Sequence, residues 1–182
     1  MSEELHASCL VVEPFTEEHD VSAFDCFSGH AGDRDLNDFI KNDALAQKEE
    51  GWNRTYVAVQ KGGKKVMGFF ALSQDAITID RETRRRRGKD YGKIPAIKIG
   101  RLAVDKACQN KGVVGPFLVC YAMGFIVKKI VPLVGGMYIT LDSYPHRAEW
   151  YKKKFNFREN TLIKQDGATY VNLIFPIKDF RE

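Results

Sequence analysis

Apolar and polar residues in the middle of the chain change from the spacing of a strand to the spacing of a helix. A short run rich in β-branched residues predicts a strand over Ile97–Asp105. From Phe117 onward, apolar side chains recur at steps of three and four, which predicts a long apolar helix. A loop, Lys106–Lys111, and a glycine-bracketed segment, Gly112–Pro116, lie between the two elements. The chain is therefore predicted to pass from a strand through a turn into a helix.

The same pattern predicts the elements on either side. Two β-rich runs flank Gly62–Gly63, which is typical of an antiparallel hairpin. Pro132 and Gly135–Gly136 are predicted to end the apolar helix. Strands are predicted over Ser8–Pro14, Arg54–Gln60, Val66–Ser73, Ala76–Ile79, Met137–Asp142 and Tyr170–Ile177, and helices from Asp35 to a stop at Gly51 and over His146–Lys154.

The composition is typical of a globular protein. With 182 residues, 44% hydrophobic and 29% charged, the chain fits a single domain over residues 1–182. No apolar run approaches ~18 residues, and the start lacks the basic and then apolar pattern of a signal peptide. Neither a membrane span nor a secretion signal is expected, and the cytoplasm is the expected compartment.

Cysteine and histidine usage argues against a metal centre. The four cysteines form no Cys-x-x-Cys pair, and the four histidines do not cluster near them. No metal and no disulfide framework are therefore expected. Each cysteine is expected to be a small hydrophobe rather than a nucleophile. His30 and Asp33 are expected to serve turns or cap a helix.

The segment Gly112–Pro116 has the properties of an anion site. The first turn of a helix offers backbone N–H groups that no helical carbonyl reaches, with the positive end of the helix dipole behind them. Gly112 and Gly115 let a ligand approach the main chain, and Pro116 suits the first helical position. A pyrophosphate is the expected ligand. The alternative is an ordinary strand-to-helix turn without a ligand.

The segments Arg101–Asp105 and Gln109–Gly115 together resemble the acetyl-CoA-binding motif of the GNAT superfamily of N-acetyltransferases, whose loop pattern is Gln/Arg-x-x-Gly-x-Gly/Ala. The resemblance implies an α/β (α+β) fold with a mixed, mostly antiparallel sheet, flanking helices and a splayed strand pair. It also implies that N–H groups near Ala103 and Val104 polarise the thioester carbonyl. The residues implied to bind acetyl-CoA are Leu102, Ala103, Val104, Gln109, Asn110, Lys111, Gly112, Val113, Val114, Gly115 and Pro116.

Val114 departs from this pattern, because the motif has a small residue at its position. Gly115 follows one residue later. Either the loop is slightly re-set, or the valine side chain points away from the pyrophosphate.

The order of further short segments resembles a narrower group, the GNAT toxins of bacterial toxin–antitoxin pairs. These segments extend from Phe24 to Phe157 and include Leu36–Ile40, Arg54–Val57 and Gly68–Ser73. Such toxins acetylate the α-amino group of aminoacyl-tRNA and block translation. The resemblance implies aminoacyl-tRNA as substrate, a small ribbon-helix-helix antitoxin as partner, and a homodimer. The lack of a long apolar run gives no reason to expect a membrane partner.

An arginine-rich loop suits an RNA substrate. Arg81–Lys89 places six cations in nine residues. Arginine meets phosphates through bidentate hydrogen bonds and releases counterions on binding nucleic acid. The alternative is a solvated run of charge. The residues predicted to hold the acceptor end of a tRNA are Arg84, Arg85, Arg86, Arg87 and Lys89.

His146–Phe157 is similar to the GNAT segment Ala-x-x-Phe-Tyr-x-x-x-Gly-Phe, with Asn156 in place of the glycine. By this resemblance Tyr151 is the catalytic residue that gives a proton to the departing thiolate, and a phenol suits an acid at neutral pH. Packing of Tyr151 beside aromatic neighbours is the alternative. No strong base is evident; the possible proton acceptors are Asp142, His146 and Glu149.

Three functions follow in order of preference. The first is a toxin that acetylates aminoacyl-tRNA. The second is a housekeeping GNAT enzyme that acetylates a small amine or a protein amine. The third is a non-catalytic module that binds acetyl-CoA.

Overall fold

Most of the elements predicted from the sequence are present with shifts in their ends, but Ala76–Thr78 belongs to one strand that runs from Val66 to Thr78 and not to a separate strand. The structure, a computed structural model, describes residues 6–30, 32–78, 85, 92–165 and 167–181. Two short π-helical segments, Phe39–Asp43 and Ile126–Ile130, interrupt the helical runs. The strands are β1 Leu10–Pro14, β2 Arg54–Gln60, β3 Val66–Thr78, β4 Lys93–Val104, β5 Tyr138–Ser143, β6 Arg158–Gln165 and β7 Ala168–Pro176, and the α-helices are α1 Gly32–Asp38, α2 Ala44–Glu49, α3 Val114–Phe125, α4 Val131–Val134 and α5 Pro145–Phe155.

The strands pair in the order β1-β2-β3-β4-β5-β7-β6. Within this order the β4–β5 pairing is parallel, whereas β1–β2, β2–β3, β5–β7 and β6–β7 are antiparallel. A mixed, mostly antiparallel sheet with helices was expected, and this prediction is confirmed. Contacts divide the chain into two compact units: unit 1 is Met1–Ser73 with Gly100–Met123, and unit 2 is Gln74–Ile99 with Gly124–Glu182.

Unit 1 is built on the predicted hairpin. Gly62 adopts a φ of +78° between β2 and β3, a left-handed conformation that glycine reaches without a steric penalty. The helical run that begins with α1 ends before Gly51, whose φ is +84°. Phe69 of β3 packs against Phe24 and Phe39, with ring centroids 5.6 and 5.8 Å apart. These aromatic contacts attach the helical layer to the inner face of the hairpin.

Unit 2 joins a short parallel ladder to an antiparallel meander. The β4–β5 pairing covers three residue pairs and ends at Lys98 and Thr140. The β5–β7 ladder is longer and runs from Tyr138–Pro176 to Ser143–Val171. Helix α5 follows β5 and ends at Asn156, whose φ of 57° is left-handed. Asparagine tolerates this conformation, so its replacement of a glycine is accommodated.

The apolar helix continues past Pro132, which corrects the prediction that this proline helps to end it. Pro132 lies in the first turn of α4, directly after the π-helical segment. A proline is tolerated there because the N–H groups of a first turn have no α-helical partner. The helix ends at Val134, before Gly135 with a φ of +77°.

The run Val114–Val134 also corrects the expectation that no apolar stretch approaches membrane-spanning length. It is a helix of 21 residues that is long and apolar enough, by length and composition alone, to cross a membrane. Glycine, proline and two lysines interrupt its apolar residues, so the sequence shows no continuous apolar stretch of this length. Its buried side chains are those of Val114, Leu118, Val119, Ala122, Met123 and Ile126, which recur at the spacing of a core-facing stripe.

Strand β6 was not predicted. Its sequence is mostly polar, and Arg158–Leu162 is exposed because β6 is the last strand in the sheet order. An exposed edge strand needs no alternating apolar pattern, so the sequence carries no strong signal for it.

Candidate functional site

The loop after β4 is shaped by a buried carboxylate. Asp105 is only 5% exposed, and its side chain accepts hydrogen bonds from the backbone N–H groups of Asp25 at 3.1 Å and Ala107 at 2.9 Å. Its carbonyl accepts the N–H of Cys108 at 2.8 Å. Asp105 therefore fixes the first turn of the loop through both its side-chain carboxylate and its main-chain carbonyl.

Two left-handed residues complete the turn. Asn110 has a φ of 59° and Gly112 a φ of 71°. A Cβ on Gly112 would meet nothing within 4 Å, so the glycine is needed for its conformation and for an open approach to the main chain. Asn110, Lys111 and Gly112 are exposed. At Gly112, which has no side chain, the exposed surface is main chain.

The helix begins at Val114, and the N–H of Phe117 donates to the carbonyl of Val113 at 3.1 Å. Pro116 is thus the third helical residue and not the first, but it still lies in the turn whose N–H groups lack helical partners. The geometry leaves the amides of Val114 and Gly115 at the positive end of the helix dipole. Such an arrangement binds anions.

Val114 points into the core. Its side chain is fully buried, and its Cγ1 lies 3.1 Å from the place that a Cβ on Gly68 would occupy. Leu118 Cδ1 and the carbonyl oxygen of Ala103 are even closer to that place, at 2.7 and 2.9 Å, so only glycine fits on β3 there. Of the two alternatives for Val114, the structure supports the side chain that points away from the loop.

Gln109 is committed to protein contacts through its side-chain nitrogen. Nε2 donates to the carbonyl of Val104 at 2.9 Å and to that of Cys26 at 2.8 Å. Both N–H groups of the amide are therefore used to join the end of β4 to the segment before α1. Gln109 shapes the loop, and its amide nitrogen has no further donor for a ligand.

Tyr151 lies on α5 among aromatic rings. Its ring contacts Trp150 edge-on at a centroid distance of 4.8 Å and Phe157 at 6.1 Å. Burial raises the pKa of Tyr151 to about 12, and the positive charge of Arg147 only partly offsets this. Among the described residues no side chain or carbonyl is a hydrogen-bond partner of its hydroxyl. The phenol is thus a protonated donor with no partner in the described part of unit 2.

The three possible proton acceptors differ in their environments. The Asp142 carboxylate pairs with the Lys98 ammonium and accepts from Asn172 Nδ2 at 2.7 Å. Glu149 pairs with Lys152 at 2.5 Å, a contact that lowers the pKa of the Glu149 carboxyl and makes it a weaker base. His146 is exposed and stacks on Tyr144, with an interplanar angle of 13°.

Asp33 stabilises the turn before α1, which is one of the two roles expected for it. Its carboxylate accepts from the Ser28 N–H at 2.7 Å, the Ser28 hydroxyl at 2.8 Å and the His30 N–H at 3.3 Å. Cys26 is buried, and burial with nearby carboxylates raises the pKa of its thiol to about 12. It therefore has no nucleophilic character at neutral pH.

Most of the basic loop lies outside the described residues. Arg84, Arg86, Arg87 and Lys89 are among the residues not described, and Arg85 is described and exposed. The prediction that this loop binds RNA stays a prediction. Within the described ranges, no group of three His, Cys, Asp or Glu residues could hold a metal ion.

Arg101 of β4 is a residue that sequence reasoning overlooked as a site. Its guanidinium carbon lies 4.1 Å from the centroid of the Phe39 ring. The two residues are far apart in the sequence, so only the fold brings them together. The motif letters alone gave no signal for the contact.

Comparison with known proteins supports the resemblance. No family profile matches the chain. A tRNA-acetylating toxin of Mycobacterium tuberculosis is 32% identical over 106 residues, which are 58% of this chain and 62% of the relative. AtaT complexed with acetyl-methionyl-tRNAfMet aligns with a TM-score of 0.72 and 23% identity over 93% of this chain and 95% of that one. The chain therefore shares its fold with AtaT.

A second structure with the same fold is a mutant AtaT toxin bound to the C-terminus of the antitoxin AtaR and acetyl-CoA. It aligns with a TM-score of 0.69 and 24% identity, over 93% of this chain and 94% of that one. At this identity the likeness establishes the fold alone. The chain spans 62% of the length of the curated relative that it matches.

Proposed function

We propose that this chain is an acetyl-CoA-dependent N-acetyltransferase, a toxin that acetylates the α-amino group of aminoacyl-tRNA and blocks translation. The observation that carries the proposal is the loop Asp105–Gly115, with its fixed turn, exposed main chain and helix start. The sequence likeness to a tRNA-acetylating toxin supports the choice of acceptor.

The residues of the loop fit the diphosphate of acetyl-CoA. Its amides would hold the diphosphate from Lys111 to Gly115, while Leu102, Ala103 and Val104 would lie along the pantetheine and the thioester. Acetyl-CoA supplies the acetyl group as a thioester. The buried side chain of Val114 leaves this loop free of obstruction, which removes the main support for a non-catalytic module.

Tyr151 would hold the proton that the departing thiolate requires. Its raised pKa keeps the hydroxyl protonated across the physiological range, as a general acid requires. The acceptor amine needs little help, because a free α-amine has a pKa near 7.7–8.0 and is already partly neutral in the cell. The absence of a strong base among the candidates is therefore compatible with this acceptor.

A cell-free translation reaction tests the proposal. Purified protein with acetyl-CoA should arrest translation, and radiolabelled acetyl groups should appear on the amino acid that ribonuclease and mild alkali release from tRNA. Protein without acetyl-CoA is the control, and Tyr151→Phe should relieve the arrest. Intact translation at saturating acetyl-CoA, together with transfer of acetyl to a small amine or a protein, would instead favour a housekeeping acetyltransferase.

We also propose partners and location on the same basis. A small ribbon-helix-helix antitoxin is the proposed inhibitor, since the AtaT toxin of the same fold is bound by AtaR. A cytoplasmic homodimer is proposed for the toxin, and the exposed apolar side chains of Leu133, Val134 and Met137 suit a self-association surface. Light scattering on the purified protein would distinguish a dimer from a monomer.

A further inference from the structure

Arg101 is held in an unusual way for a half-buried cation. Its guanidinium lies over the ring of Phe39, which is only 1% exposed. A guanidinium held over a ring by cation–π attraction does not need its N–H groups for that contact, so they remain free to donate. The ring therefore holds the guanidinium in place without using its hydrogen bonds.

In the described part of the chain, no protein group uses those donors. Among the described residues Arg101 has no carboxylate within ion-pair distance and no hydrogen-bond acceptor. The half-buried Lys98, in contrast, is paired with Asp142. A partly desolvated cation without a partner is costly, and a planar cation with free edges matches an oxyanion in a bidentate manner. The arrangement points to a ligand that carries an anionic oxygen group.

Its place on β4 separates this group from the coenzyme diphosphate. Alternate side chains of a strand share a face, and Ala103 belongs to the buried cluster that contains Phe39. Arg101 is therefore on the face of β4 that packs against the helical layer of unit 1. Four residues of strand, about 13 Å, separate its main chain from Asp105, where the loop begins. This spacing allows the coenzyme diphosphate to bind at the loop and an anionic group of a second molecule to bind at Arg101.

We propose that Arg101 is an acceptor-binding residue that takes a phosphate near the 3′ end of aminoacyl-tRNA. The proposal rests on the function proposed above and adds to it a contact in unit 1, separate from the arginine-rich loop. Phe39 acts as a positioning residue for the guanidinium.

Two acceptors that carry the same amino acid test the contact. One is aminoacyl-tRNA, and the other is the 3′-aminoacyl ester of adenosine, which has no phosphate. Arg101→Gln should lower kcat/KM for aminoacyl-tRNA about 10- to 100-fold, the effect of a charge-assisted hydrogen bond, and change it little for the ester. Arg101→Lys keeps the positive charge but loses the paired N–H donors of the guanidinium. Its kcat/KM for aminoacyl-tRNA should therefore lie between those of Arg101→Gln and the wild-type protein.

Arg34→Gln is the matched control. Arg34 also lies over a ring, that of Phe27, but at 5.9 Å and with the ring 43% exposed. This variant should behave as wild type with both acceptors. Equal losses for both acceptors with Arg101→Gln, or a weaker affinity for acetyl-CoA, would overturn the proposal.

A binding measurement separates this proposal from the proposed function. A short fluorescent RNA that ends in CCA should bind Arg101→Gln about 10-fold or more weakly than wild type, as measured by polarisation. A lower affinity of Arg101→Gln for this RNA would support the phosphate contact even if the wild-type protein acetylates neither acceptor. The absence of acetylation would contradict only the proposed function. Unchanged RNA affinity in a folded Arg101→Gln or Arg101→Lys protein would sink the contact.

Discussion

The loop after β4 in unit 1 and the helix α5 in unit 2 provide two different kinds of chemistry. In the loop, side chains such as Asp105 and Gln109 bind to the protein itself, and the main chain at Gly112 is open to a ligand. In α5, the surrounding rings leave a single hydroxyl, that of Tyr151, protonated and without a described partner. A substitution should therefore act on shape and affinity in the loop, but on the chemical step in α5.

The largest expected effect separates the two regions most sharply. Tyr151→Phe removes the only hydroxyl of α5 and should lower kcat about 100-fold or more with acetyl-CoA affinity unchanged. Steady-state kinetics and titration calorimetry measure the two quantities. Tyr170→Phe, on β7 of the same unit, is the control and should retain activity. Loss of acetyl-CoA affinity in Tyr151→Phe would contradict a purely chemical role.

Asp105→Ala should have the opposite signature. The change leaves the N–H groups of Asp25 and Ala107 without their acceptor, which should lower the free energy of unfolding by about 2–3 kcal/mol. Urea denaturation measures this quantity, and calorimetry should show weaker binding of acetyl-CoA.

Lys106→Ala is the control for Asp105→Ala. It removes an exposed ion pair with Asp25, so the urea midpoint should stay close to that of wild type. If Asp105→Ala were as stable as wild type, the carboxylate would not be what fixes the loop.

Two glycines allow a matched test of conformation against function. Gly112 and Gly62 have φ of +71° and +78°, and a Cβ would meet nothing within 4 Å at either position. Alanine should therefore cost about 1 kcal/mol of stability at each, because both must stay left-handed. Only Gly112→Ala should weaken acetyl-CoA binding. Equal affinity in the two variants would argue against main-chain contact at Gly112.

The smallest effect is a titration at high pH. The pKa of Tyr151 is raised by burial to about 12 from an ordinary 10.0, so the neutral phenol stabilises the fold fully below pH 10. This stabilisation is lost as the pH rises through 12. Phenolate absorbance of wild type minus that of Tyr151→Phe should show one group that ionises near 12. A difference centred near 10 would mean that the hydroxyl is solvated.

Local signals in the sequence predicted the secondary structure of both regions, the loop after β4 and the helix α5. Glycines, prolines and apolar spacing predicted the strand, the turn and the helix that form the loop, because these features act within a few residues. They also predicted α5 and the left-handed end at Asn156. These features depend on backbone preferences that each residue carries with it.

Contacts between distant segments could not be predicted in the same way. Gln109 donates to Cys26, Val114 packs beside Gly68, and Arg101 lies over the ring of Phe39. Each contact joins residues that only the pairing of strands and helices brings together. Strand β6 was missed for a different reason, since an exposed edge strand carries few apolar positions. The two alternatives for Val114, a re-set loop or a side chain that points away from the ligand, could be stated from the sequence. Only the packing of the valine in the core decides between them.

The fully buried Val114 has a kinetic consequence. Because Val114, the first residue of α3, is packed in the core, the backbone amides at the start of the helix are already in position before acetyl-CoA binds. Little ordering entropy remains to be lost in the encounter, so we expect stopped-flow traces of acetyl-CoA association to be single exponentials whose rate rises linearly with concentration, without a plateau.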